Sequence, residues 1–170
     1  QIRRFAQRRQ PVLREVNLGE PITNAVSLLR WEFRHKNIGL KLNVADEKTV
    51  IYADAIQIEQ VVVNLLQNAV EAMEQSGRPR CVTIETKLAE ANQVQVIVSD
   101  TGAGVSKENM SRLFKPFFTT KSTGVGLGLS TSRSIIEMHD GTLEAIRDSD
   151  GGMTFVLTLS MALSQEQRND

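Results

Sequence analysis

The chain has 170 residues, 41% hydrophobic and 24% charged, enough to bury one sizeable core and ordinary for a single domain. Twenty basic and twenty acidic residues give a formal net charge of zero, which removes any global field for nucleic acid or an anionic membrane surface. The single cysteine, Cys81, excludes an intrachain disulfide and fits a reducing, cytoplasmic setting, and no apolar run approaches the roughly 18 residues that span a membrane.

In chain order, residues 2–10 have helical composition, with Ile2 and Phe5 on one side and Arg3, Arg4, Arg8 and Arg9 on a solvated face, until Pro11 ends the pattern. Residues 12–16 predict a short strand. Asn17 then caps an amphipathic helix running to about residue 36, with Leu18, Ile22, Val26 and Leu29 three and four apart. Ile38, Leu40, Leu42 and Val44 alternate as in a half-buried strand, and a second strand follows over 49–52. Asp54, with Gln57 three residues on, caps the most apolar helix of the chain, over 58–73, closed by Gly77.

Residues 82–88 and 94–98 are β-branched, alternating runs that predict a hairpin with a longer loop. Ser106 caps a short helix to about 113, and an apolar helix spans 127–139. Gly141 stands where a left-handed cap is wanted, and 142–146 with 153–159 form a closing hairpin around Gly151 and Gly152. The mixed order with hairpins predicts an α/β fold, a two-layer sandwich of a mixed, largely antiparallel sheet covered by helices. Residues 15–161 form the expected domain, with a remnant of an upstream helix and linker over 1–14 and a frayed tail over 162–170. No initiator Met opens the chain, so a longer parent is expected, itself soluble or membrane-anchored.

Chemistry concentrates in a few stretches. Asn64 and Asn68 lie four apart, on one face of an apolar helix, where a buried amide without partners is costly. They either bond a neighbouring loop, or Asn68 offers its carbonyl oxygen to Mg²⁺, which prefers hard oxygen ligands. Asp100 ends an apolar strand and precedes Gly102 and Gly104. It reads as an ordinary Asp-Thr-Gly turn or as an acceptor for the exocyclic amine of adenine.

Gly124, Gly126 and Gly128, spaced two apart before a helix, would bring backbone amides close to a phosphate, although such turns also occur in loops that bind nothing. Neither a dinucleotide fingerprint nor a phosphate-binding Gly-Lys-Ser/Thr end occurs in the sequence. Thr154 is either a plain strand residue or a hydroxyl aimed at phosphates. The phenylalanines Phe114, Phe117 and Phe118 suit either a core or a lid hinge.

Together, the blocks NLLQNAVEAM (64–73), DTGAG (100–104), LFKPFFTTK (113–121), GVGLGLS (124–130) and GGMTF (151–155) carry a resemblance. In order and spacing they resemble the N, G1, F, G2 and final glycine boxes of the catalytic, ATP-binding domain of two-component sensor histidine kinases, of the FixL-like subgroup. That resemblance implies the Bergerat ATP-binding fold shared with gyrase-, Hsp90- and MutL-like ATPases, with ATP and Mg²⁺ as cofactors. It implies Asn68 as metal ligand, Asn64 ordering metal and phosphates, and Asp100 reading the adenine amine over a floor of Gly102 and Gly104. Lys121 would be a phosphate cation, and Gly126, Leu127 and Gly128 would present amides to the phosphates. Ala72, Phe118, Gly124, Val125, Leu129 and Thr154 complete the implied nucleotide contacts, and Asn64, Asn68 and Lys121 the catalytic set.

Many relatives carry a basic residue three positions after the metal asparagine. This chain has Glu71 there, which shifts phosphate neutralisation to Lys121 and Lys115. The lid over 119–125 is expected to order around the γ-phosphate. The implied partners are the parent's own dimerising phosphoacceptor hairpin and a response regulator receiver domain, with a homodimeric parent and no nucleic acid or membrane contact by this part. Neither His35 nor His139 has the acceptor's neighbours, and both are expected on exposed helix ends. Two other readings are a hydrolysing clamp, which would place a glutamate where Asn64 stands, and a non-catalytic nucleotide-binding scaffold.

Overall fold

The computed structural model describes residues 11–44, 49–74, 76–121 and 124–162. The predicted helical remnant of 1–10, the end of the predicted tail (163–170) and two lid residues (122–123) lie outside the described residues. The first strand, β1 (Arg14–Asn17), leads into α1 (Gly19–His35), followed by β2 (Gly39–Asn43) and β3 (Val50–Ala53). The long helix α2 (Ala55–Met73) precedes the hairpin β4 (Cys81–Ala89) and β5 (Gln93–Asp100), then the short α3 (Lys107–Met110). Helix α4 (Gly128–Glu137) and the hairpin β6 (Thr142–Arg147) and β7 (Met153–Ser160) close the domain.

Helix α2 starts where its cap residue dictates: the Asp54 carboxylate accepts the amides of Ile56 and Gln57 at 3.1 and 3.3 Å. Ile58, Val61, Val62, Leu65, Leu66, Ala69, Val70 and Met73 are all buried, following the three-and-four spacing of the sequence. Each such aliphatic side chain contributes roughly 1.5–3 kcal/mol on full burial. Opposite them, Val82, Ile84, Val94, Val96, Leu157 and Leu159 project from the sheet into the same core.

Five strands form the main sheet in the order β2-β4-β5-β7-β6. All pairs are antiparallel except β2 with β4, whose crossover contains α2, as a parallel connection requires. The second early strand does not join its neighbour β2. Instead β3 pairs with β1 in a separate two-stranded ribbon, and Met161 bridges to Ile51 beside it. Ala162, placed by the sequence in a frayed tail, donates its amide to the Val50 carbonyl at 2.8 Å. The left-handed residue after α4 is Asp140 (φ 54) rather than Gly141, whose bare Cα instead packs against the Thr158 carbonyl.

Candidate functional site

The helix-facing side of the sheet and the top of α2 enclose a cleft of about 780 Å³. Asn64, Asn68 and Ala72, each four residues apart, line it from α2 because the helical repeat keeps them on one face. Asp100 enters from the end of β5. Its partners in the alternation, Val94, Val96 and Val98, face the core, so the carboxylate continues that face into the cleft. Gly104, Phe118, Lys121, Gly124, Val125, Gly126, Leu127, Gly128 and Leu129 also line the cleft.

Asp100 is 6% exposed and its Oδ1 accepts the Gly102 amide at 2.8 Å. Burial raises its pKa to about 6, helped by the nearby negative Asp148. The amides of Gly102 and Met153 and the Lys121 charge pull the other way. A folded-state value above the unfolded one means that the protonated carboxyl stabilises the fold. This contribution is complete below about pH 3.8 and disappears as pH rises to about 6. A ligand amine needs the ionised acceptor. Affinity for a ligand that presents an amine to Asp100 is therefore expected to hold level above pH 7 and to fall by up to about tenfold per pH unit below pH 6. Calorimetric titrations of ATP across pH 5–8 check this against the Asp100→Asn variant, in which only the titration of the phosphates remains.

Asn64 and Asn68 behave differently. The Asn64 amide nitrogen donates to Ser132 Oγ at 2.9 Å, and a Cβ on Gly128 would overlap Asn64 Oδ1. Asn64 thus clamps α2 to the first turns of α4 and positions that helix's amino end toward the cleft. In Asn68, Oδ1 accepts Lys121 Nζ at 3.1 Å, while its buried Nδ2 has no partner among the described residues. The ammonium, a pure donor, sets the amide orientation, so the oxygen faces the cleft. Lys121 also pairs with Glu71.

The phenylalanines divide by environment. Phe114 is half-buried, with the Arg133 guanidinium 3.6 Å from its ring centre, Phe118 lines the cleft, and Phe117 is exposed. Phe117 takes φ 63 and donates its amide to the Gly126 carbonyl at 2.8 Å, which ties the front of the lid to its back.

The packing places four residues elsewhere than the sequence suggests. Thr154 is not among the described cleft residues: it pairs with Ser99, to whose hydroxyl its own lies 2.8 Å away, and donates to Asp148 at 3.1 Å on the other face of the sheet. Gly102 stands behind the cleft, where a Cβ would meet the Ala72 Cβ at 2.7 Å, so it lets α2 approach rather than forming the floor. His139 is buried, not on an exposed helix end. Its Nε2 accepts the Asp54 amide at 3.0 Å and its Nδ1 donates to the Ile135 carbonyl at 2.7 Å. His35 is exposed, stacked on Trp31. Lys115 faces a separate groove with Arg112 and does not line the main cleft.

Several cleft residues escaped the sequence reading. Ala103, Val105, Leu113, Met153 and Phe155 form its apolar lining. The alternation around Thr154 was the available signal, since Met153 and Phe155 share the core-facing side of β7. Ser132, a buried hydroxyl four residues into α4, was open to the same question asked of the asparagines.

A sandwich of this topology, with a cleft between α2, the end of β5 and the glycine turn before α4, defines an ATP-binding domain of the Bergerat type. The family described as histidine kinase-, DNA gyrase B-, and HSP90-like ATPase matches residues 53–163. The sensor protein FixL of Bradyrhizobium diazoefficiens is 42% identical over 161 residues, 95% of this chain and 32% of that protein. The nucleotide-free catalytic domain of the histidine kinase ThkA superposes with TM-score 0.77 at 33% identity, over 87% of this chain and 95% of that one. ThkA in complex with the response regulator protein TrrA gives TM-score 0.77 at 29% identity, over 95% of this chain and 45% of that one. The chain belongs to this family, and its fold is that of a histidine kinase catalytic domain. It spans about a third of the length of FixL.

Proposed function

We propose that this chain, over residues 15–161, is the catalytic domain of a sensor histidine kinase that binds Mg-ATP and phosphorylates a histidine on a separate helical hairpin of a dimeric parent. The observation that carries this reading is convergence: Asp100, Asn68, Lys121 and the amino end of α4 meet in one cleft although they are far apart in sequence. Asp100 accepts the adenine amine, and Met153, Phe155 and Leu113 exclude water around the base. The turn through Gly126, Leu127 and Gly128 offers amides to the phosphates at a helix amino end. Asn64 holds that helix end in position.

The residues fit a magnesium ion. The Asn68 oxygen is oriented into the cleft and already accepts from a cation, and an asparagine carbonyl is a hard ligand. Among the described residues no group of three His, Cys, Asp or Glu could hold a metal, so the ion would rely on Asn68, with Asn64 nearby, and on phosphate oxygens. When bound, magnesium neutralises charge on the transferring phosphoryl group. Lys121 adds a second positive charge, and the amides hold the phosphates in line with the incoming nucleophile.

In the transfer, an imidazole nitrogen forms a bond to the γ-phosphorus as the bond to the β–γ bridging oxygen breaks and ADP leaves. The acceptor lies outside this chain's described residues. His139 is braced through both ring nitrogens, and His35 lacks an acidic neighbour. A response regulator aspartate then receives the phosphoryl group. No helix among the described residues is long and apolar enough to cross a membrane, and we assign the domain to the cytoplasm, where ATP is available.

Mixing the domain with its dimerising hairpin and labelled Mg-ATP should yield acid-labile, base-stable phosphohistidine on the hairpin. ATP binding without phosphohistidine would overturn the kinase reading. Steady hydrolysis by the isolated domain would favour a clamp-type ATPase instead.

A further inference from the structure

The cation of the lid is not free. Lys121 Nζ is held by the Glu71 carboxylate and by Asn68 Oδ1 at 3.1 Å, both on α2. Glu74 also lines this end of the cleft, and Asp100 lies within electrostatic reach of Lys121. Lys121 is firmly tied to the lid backbone: its amide donates to Thr119 Oγ1 at 3.0 Å and its carbonyl accepts the Gly124 amide at 3.4 Å. Wherever the ammonium is anchored, the backbone of residues 119–121 and 124 follows. The anchor is α2, and the contact to Asn68 uses the only oxygen which that side chain could offer a metal.

We infer that Glu71 is a positioning residue that latches the lid to α2 through Lys121, and that nucleotide loading proceeds by exchange of partners at this latch. Resting on the ATP-site reading above, the exchange sends the ammonium to a phosphate and Asn68 Oδ1 to the metal, and leaves Glu71 to solvent. The charge at position 71 thus makes the lid lysine a competitor for the metal's own ligand. A basic residue there would repel Lys121 and leave the empty site unlatched. Both side chains of the pair are partly exposed, 36% for Lys121 and 48% for Glu71, so the latch is weak enough for a triphosphate to open.

The test reads the lid first without nucleotide. In Glu71→Gln, a neutral isostere with comparable helix propensity, amides of residues 113–121 and 124–127 should exchange with deuterium several-fold faster than in the parent chain. The charge swap Glu71→Lys with Lys121→Glu should restore protection. Calorimetry then reads loading: Glu71→Gln should bind Mg-ATP about fivefold more tightly, and this gain should vanish in the Lys121→Gln background, where nothing is left to release. Unchanged lid exchange, an unchanged or weakened affinity in Glu71→Gln, or the same affinity change in both backgrounds would overturn the latch. Should the parent chain bind no ATP at all, the functional reading fails. The exchange experiment still judges the latch in that case.

Discussion

Replacing Asp100 with asparagine is expected to weaken ATP binding about 100-fold, close to 3 kcal/mol, while the domain stays folded. The carboxylate is an acceptor on both oxygens, and the backbone amides of Gly102 and Met153 already point at it. An amide in its place carries one oxygen and one NH₂ group. With the oxygen turned to the backbone donors, the NH₂ faces the adenine amine, donor against donor. With the oxygen turned to the ligand, the NH₂ faces a buried backbone N–H instead. Neither orientation satisfies the site, and an unmet buried donor carries its full desolvation penalty. The fold does not require the charge, because burial holds the Asp100 pKa near 6 and ionisation above that pH opposes folding. Calorimetry gives the affinity and circular dichroism the fold. An affinity within threefold of the parent would show that the carboxylate does not contact the base.

Gly152→Ala should lower stability by roughly 3 kcal/mol and the unfolding midpoint by about 10 °C. Gly152 has φ 98, and a Cβ there would overlap the Asp100 carbonyl. Its own carbonyl in turn lies where a Cβ on Gly104 would come within 2.9 Å. The final glycine turn is therefore pressed against both ends of the 100–104 loop. Any side chain at 152 displaces the strand end that aims Asp100. Stability and nucleotide affinity should fall together in this variant, whereas Asp100→Asn separates them. Thermal denaturation with and without ATP distinguishes the two patterns, since a competent site still gains stability with added nucleotide.

Much of the site was readable before any coordinates. The helical repeat of α2 puts Asn64, Asn68 and Ala72 on one face whatever that face meets, and Asp54 starts the helix in register through its own backbone contacts. Asp100 lies at the end of an alternating run, so its side is set by the valines before it. These are local properties, carried by period and cap chemistry within a few residues.

Partnership across the chain is a different matter. No local signal tells β3 to pair with β1 rather than with β2, because every exposed strand edge offers the same hydrogen bonds. Thr154 reads as a hydroxyl beside a glycine turn, yet pairing with Ser99 settles which face it takes and gives the cleft to Met153 and Phe155. The neighbours of His139 in sequence do not show that the Asp54 amide, 85 residues away, supplies its partner.

The sequence alone thus determined the order and type of the helices and strands and which polar groups share a face, because such properties follow from contacts within a turn or two. Only the tertiary structure decided that Lys121, 53 residues from Asn68, rests on that amide and on Glu71, and that Asn64 grips Ser132 on α4. Those pairings depend on how the covering helices and the lid stack on the sheet, which is a property of the whole core rather than of any segment.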